Sequence, residues 1–154
     1  MSAAPAMRQQ LRIMWIAFLA AVAVYTPLPW LIIDAGADSA APVNEALRSG
    51  LHSGALGAAV ASFLSRRWFT TRLAAALKAG DTAPGELWTR LRLGCLSTWM
   101  VSEAVALIGL MLGLMARQPL DALPLAAGAA ALLVVHRPAV WPIDAVERAE
   151  GTPA

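Results

Sequence analysis

Glu103 is the only charged residue in the run Gly94 to Ala116, GCLSTWMVSEAVALIGLMLGLMA, which is flanked by Arg92 and Arg117. A charge at the centre of a bilayer costs about 2.5–3.5 kcal/mol on insertion scales, so a carboxylate there calls for a partner, a cation or a proton. The chemistry this allows is reversible binding of a proton or a sodium ion. The alternative is a neutral glutamic acid hydrogen-bonded to Ser102, to Ser97 or to a neighbouring helix. On a straight helix Glu103 stands eleven residues beyond Arg92, about 16 Å into the span. His52 lies fourteen residues before Arg66 on the preceding apolar block, about 21 Å up if the two helices are antiparallel. The spacing therefore predicts a separation of about one helical turn along the axis. A Glu103–His52 relay with Ser102 beside it is the candidate ion-binding set. The competing expectation for His52 is a packing or hydrogen-bonding group. His136, next to Arg137, reads as an interface residue.

Other chemistry finds no residues to carry it. One buried Glu and two distant His do not compose a metal site. Cys95 is the only cysteine, so neither an intramolecular disulfide nor a CxxC site can form. A buried, inert thiol is expected there, with acylation near the membrane interface as the alternative. No phosphate loop, nucleophile elbow or Ser-His-Asp context is visible, so no enzyme activity and no cofactor are expected.

The elements that must position Glu103 follow from composition. Of the 154 residues, 58% are hydrophobic and 14% charged, against about 25% charged in ordinary soluble domains. The apolar residues fall into four blocks, at about 13–33, 49–65, 93–116 and 119–136, which read as membrane spans. The expected fold is all-α: one integral-membrane domain over 1–154, built as a four-helix bundle. Residues 1–7 and 150–154 are expected to be disordered.

The first block, Ile13 to Ile33, has 21 residues, about 31 Å of helix, with Trp15 and Trp30 near opposite ends. Pro27 is expected to kink it. A cleavable signal peptide, with Ala21-Val22-Ala23 as its processing site, is the alternative reading of this segment. A polar connector, Asp34 to Arg48, leads to the second block. There Gly50, Gly54 and Ala58 recur every fourth residue with Gly57 and Ala61 beside them. Such rows let helix backbones approach closely in lipid, which places the second helix in the middle of the bundle. Gly109 and Gly113 form a similar step on the third. Between these spans, RRWFTTRLAAALKAG gathers Phe69, Leu73, Ala76 and Leu77 on one face. This predicts a cytoplasmic amphipathic extension lying on anionic headgroups, ended by the turn GDTAPG. The fourth block is short and carries Pro124. The tail beyond Arg137 brings Trp141-Pro142 to the headgroups and then becomes polar.

Charge fixes the expected orientation. Arg8 and Arg12, six basic residues between Arg66 and Arg92, and Arg137 and Arg148 fall on one side, leaving Arg48 and Arg117 on the other. The positive-inside rule then predicts a multi-pass protein of the bacterial inner membrane with both termini in the cytosol. The frequent Ala and the excess of Arg over Lys suit a high-GC bacterial coding sequence. The pI of about 9.3 reflects these topology-setting residues, and no nucleic-acid motif accompanies it.

Ser102 to Leu114, SEAVALIGLMLGL, resembles the carboxylate-bearing helix of the c subunit (proteolipid) of rotary ATPases, which often reads E-A-L-A-x-Y-G-L. Glu103 falls at the ion-carrying carboxylate, Ala104 and Ala106 at its small neighbours, and Gly109 at the glycine after the aromatic. Gly50, Gly54 and Gly57 on the preceding helix, followed by a cytoplasmic connector, are similar in layout to that hairpin. The likeness covers some thirteen residues. Ile108 replaces the tyrosine, the connector is longer, and ARQP at Ala116 to Pro119 follows the acidic helix instead of preceding it. The resemblance implies a ring of copies that carries protons or sodium. The overall pattern is also similar to that of small bacterial inner-membrane proteins. The leading expectation is a structural or accessory protein acting by helix packing with itself or a membrane partner in the lipid bilayer. Ion translocation through Glu103 is the alternative.

Overall fold

A computed structural model describes residues 4–33 and 44–151. The described residues form α-helices and two short 3-10 turns, with no strand among them. Helix α1 spans Ala4–Tyr25, α2 Leu28–Ile32, α3 Glu45–Ala79, α4 Pro84–Ala116, α5 Leu123–Val135 and α6 Ile143–Gly151. Most of the connector 34–48 lies outside the described residues, as do 1–3 and 152–154.

Local chemistry sets the helix ends. Pro27 has no N–H to give the carbonyl of Ala23, and the chain breaks there into α1 and α2 across Thr26 and Pro27. The Thr26 hydroxyl donates to the Val22 carbonyl at 2.8 Å and steadies the break. Asn44 caps α3 by accepting from the Ala46 amide at 2.9 Å. Gly80, at φ +71°, ends the same helix in the left-handed region, where glycine bears no Cβ penalty. Pro84 occupies the first turn of α4, where its missing N–H costs nothing.

Helices α3 and α4, of 35 and 33 residues, form a long antiparallel hairpin of about 50 Å. Their register is legible from contacts: Phe69 packs on Gly94 and Gly54 approaches Ile108, while Ser65 meets Thr98 at 3.3 Å. Helix α1 runs parallel to α4, with Phe18 packed on Trp99 at a centroid distance of 6.0 Å. Helix α5 runs antiparallel to α4. The four long elements thus alternate in direction.

The middle position belongs to α4, not to α3 as the small-residue rows predict. Leu91, Cys95, Trp99 and Leu112 of α4 are fully buried, whereas Leu56, Val60 and Leu64 of α3 are exposed. Helix α4 supplies both the large core side chains and the glycines that neighbours press against. A methyl group on Gly109 would stand 2.8 Å from the Leu125 Cβ, and one on Gly113 3.1 Å from the Ala122 Cβ. Gly50 and Gly57 have open space before them, and Gly54 has only the tip of Ile108 at 3.9 Å.

Among the described residues, two helices are long and apolar enough to cross a membrane: the α1–α2 unit Ala4–Ile32 and α4. Helix α3 has the length, but its Gly and Ser residues, His52 and its charged residues dilute its apolarity. Helix α5 has 13 residues, about 20 Å, short of the ~30 Å hydrocarbon core. The expected set of four spans is thus matched by two elements of span length and composition.

Two further expectations change. The amphipathic segment Arg66 to Ala79 does not lie flat. It continues α3 without a break, as expected, but its apolar face, including Leu73 and Ala76, packs onto the start of α4, where Leu87, Trp88 and Leu91 are also buried. The polar tail folds back as α6 and buries Ile143 and Val146. Asp144 and Glu147 of α6 pair with Arg8 at 2.6 and 2.7 Å, and the Trp88 indole donates to Glu150 at 3.3 Å. Residues 4–7 and 150–151, expected to be disordered, are therefore helical, because α1 and α6 hold one another at this end.

Candidate functional site

Glu103 sits midway along α4 and is partly exposed. It faces α1 near the proline break, where the Tyr25 phenol is close enough to the carboxyl group to interact with it electrostatically. The parallel packing of α1 on α4 brings these two together. Sequence reasoning missed Tyr25, although it is the only tyrosine in the chain; its isolation in an apolar run was the available signal, since a phenol in apolar surroundings seeks a polar partner.

Ser102 and His52 stand apart from this pair. Ser102 is fully buried and donates to the Thr98 carbonyl one turn back at 2.8 Å, so its proton is spent within its own helix. His52 is exposed, and its Nδ1 bonds to the Arg48 carbonyl at 2.8 Å. The register explains the gap. Phe69 meets Gly94 and Ser65 meets Thr98, so Glu103 falls opposite Val60, eight residues from His52, or about 12 Å along the axis. Level placement of Arg66 and Arg92 would have brought the two closer. No cluster of three or more His, Cys, Asp or Glu capable of holding a metal exists among the described residues.

The polar centre of the bundle lies elsewhere, at the C-terminal end of α5. His136, expected at the interface, is fully buried. Its Nε2 meets the Ser62 hydroxyl at 3.2 Å, and Phe63 packs edge-on against its ring at 4.8 Å. Ser62 gives its single proton to the Ala59 carbonyl at 2.7 Å, which assigns the hydrogen to His136 Nε2 and leaves Nδ1 as an acceptor. Nδ1 has no partner among the described residues.

Three indoles converge on the same helix end. Trp99 and Trp141 donate to the His136 carbonyl at 2.8 and 3.2 Å, and Trp15 donates to the Leu133 carbonyl at 2.8 Å. The last carbonyls of a helix have no partner within it, so tryptophans from α1, α4 and the segment after α5 satisfy them. Arg66 adds a contact to the Val140 carbonyl at 3.3 Å. This cluster joins α1, α3, α4 and the α5–α6 segment at one point. Chemically it is a fastening: its indole and guanidinium donors meet backbone oxygens, and no acid among the described residues stands within it to relay a proton.

Cys95 is fully buried and unpaired, shielded from the aqueous reagents that attack thiols. At the opposite end of the bundle, Arg48 of α3 pairs with Asp121 in the turn before α5 at 2.5 Å.

No family model, no curated protein and no solved structure matches this chain.

Proposed function

We propose that this chain is a four-span protein of the bacterial inner membrane that acts as a structural or accessory component, by packing its helices against a second copy or a membrane partner. The observation that carries the reading is the apolar outer surface. Ile13, Ile16, Leu31, Leu56, Leu64, Met100 and Met111 are all between half and four-fifths exposed, and large exposed apolar surface of this kind marks membrane or protein contact. Basic residues crowd one end of the bundle, as the positive-inside rule asks of a cytosolic face. The open faces of Gly50 and Gly57 give α3 a surface on which another helix can approach closely. Alkaline carbonate extraction followed by crosslinking in native membranes tests it. Recovery with the membrane, in a crosslinked species larger than the monomer, is expected. Release into the aqueous fraction, or a strictly monomeric product, overturns it.

A second reading is favoured by one observation, the partly exposed Glu103 with Tyr25 beside it in an otherwise apolar stretch. In this reading Glu103 carries a proton or sodium ion, as its resemblance to the c-subunit helix implies. Carbodiimide should label Glu103, with protection by sodium or high pH. Glu103→Gln should leave folding intact and abolish ion flux in proteoliposomes. Wild-type protein that is folded, unlabelled and without flux rejects this reading and leaves the first standing.

A further inference from the structure

A groove of about 910 Å³ runs along α3 from Ala61 to Arg72, with Val101 of α4 also lining it. Its length is about 16 Å, and its character changes from one end to the other. Ala61, Leu64 and Val101 make an apolar floor, Leu64 being 61% exposed. Arg67 and Arg72 stand at the opposite end, with Trp68 between. Arg48 and Arg66 bracket eighteen residue steps of α3, about 27 Å, close to the thickness of the hydrocarbon core. The arginine end of the groove therefore falls at headgroup level and the floor lies one to two turns inside.

Asp81 and Glu86 share the adjoining pocket with Arg72, but neither stands within ion-pair distance of it. Arg8, Arg48 and Arg90 each pair with a carboxylate, but Arg67 and Arg72 have none among the described residues. The Arg72 guanidinium lies over the Trp68 ring, 4.2 Å from its centroid, a cation–π contact that holds it at the mouth of the groove. A complementary occupant is anionic at one end and hydrocarbon along the rest. Guanidinium groups match phosphate oxygens in geometry as well as charge, and tryptophan favours the headgroup boundary. A free phosphate would meet the arginines and leave the floor uncovered.

We propose that this groove binds one anionic phospholipid, its phosphate between Arg67 and Arg72 and an acyl chain along Ala61, Leu64 and Val101. The proposal rests on the membrane reading above. Full-length protein in a mild neutral detergent is titrated with phosphatidylglycerol or phosphatidylcholine of equal chain length, and retained lipid is read by native mass spectrometry. One phosphatidylglycerol should be held about twentyfold more tightly than phosphatidylcholine, and Arg67→Gln or Arg72→Gln should each weaken it about fivefold. Val101→Phe fills the floor without touching charge and should weaken both lipids, while Lys78→Gln should change neither.

Equal retention of the two lipids by the wild type, or indifference to both arginine changes, overturns the proposal. So does displacement by inorganic phosphate combined with indifference to Val101→Phe, which marks a soluble-anion site. A second copy held by the wild type and lost in Val101→Phe, with no lipid bound, overturns it in favour of an interface between chains. Should Val101→Phe fail to fold, phospholipids brominated on the acyl chain replace it. Anionic brominated lipid should quench the wild type more than Trp68→Phe, and neutral brominated lipid should not distinguish them; the same response to both lipids sinks the site. Carbonate extraction separates the two failures: a protein that stays with the membrane yet prefers no lipid loses only this site, whereas one released from the membrane loses the membrane reading as well.

Discussion

At the scale of single residues, glycine does opposite things on the two long helices. A methyl on Gly109 would stand 2.8 Å from the Leu125 Cβ and 3.1 Å from the Ala122 carbonyl oxygen. Overpacking of this kind costs about 1–3 kcal/mol, while removing a helix-interior glycine returns about 0.8–1.0 kcal/mol. Gly109→Ala should therefore lower the thermal midpoint in detergent. Gly57→Ala meets open space and should raise the monomer's midpoint or leave it unchanged. If α3 packs on a second helix through this face, the same change should instead reduce crosslinked oligomer. Trp99→Phe removes one of two indole donors to the His136 carbonyl and retains most of the ring volume. The lost hydrogen bond is worth about 0.5–1.5 kcal/mol, so the midpoint should fall modestly in the same assay. An unchanged midpoint would show that Trp141 alone satisfies that carbonyl.

At the scale of elements, the two ends of the bundle are fastened by different means. The end near α6 uses tryptophan N–H groups on buried carbonyls together with the Arg8 pairs. The other end uses, among the described residues, the Arg48–Asp121 pair, whose side chains are 38% and 24% exposed. A pair so open to water contributes about 0.2–1 kcal/mol and weakens with salt. A double-mutant cycle of Arg48→Gln and Asp121→Asn should give a coupling within that range at low salt, smaller at high salt. A coupling that ignores salt would argue against a simple ion pair. The α3–α4 hairpin carries most of the structure, and its legibility was uneven. The turn around Gly80 in GDTAPG is legible because turn formation is local, whereas the helix start at Glu45, capped by Asn44, falls inside the stretch expected as a polar connector. The hairpin's register is not legible, because the match between Phe69 and Gly94 depends on shapes brought together from different turns of two helices.

At the scale of the whole molecule, helix direction alternates through α1, α3, α4 and α5, which gathers the start of α1, the Gly80 turn and α6 at one end. With these in the cytosol, a cytoplasmic reporter inserted near Ala79 and one placed after Ala154 should both be active, and one inserted next to Arg117 should be silent. An active reporter at Arg117 would invert the topology, and activity at only one of the first two would break the four-span reading. A belt that includes Leu31, Leu56 and Met100 also leads us to expect aggregation once detergent is withdrawn, measurable by size-exclusion chromatography. Monodisperse behaviour in plain buffer would contradict it.

The sequence by itself determined the all-helical character, the apolar stretches, the concentration of basic residues at one end and the isolation of Glu103. Each of these depends on composition or on interactions within a few residues along the chain. Tertiary structure alone decided that α4 is central, that Tyr25 and not His52 faces Glu103, that His136 is buried beneath three indoles, and that the polar tail returns as α6. These depend on the rotation of each helix about its axis and on its sliding against its neighbours. Both are set by side-chain packing between residues distant in sequence, which no local pattern encodes.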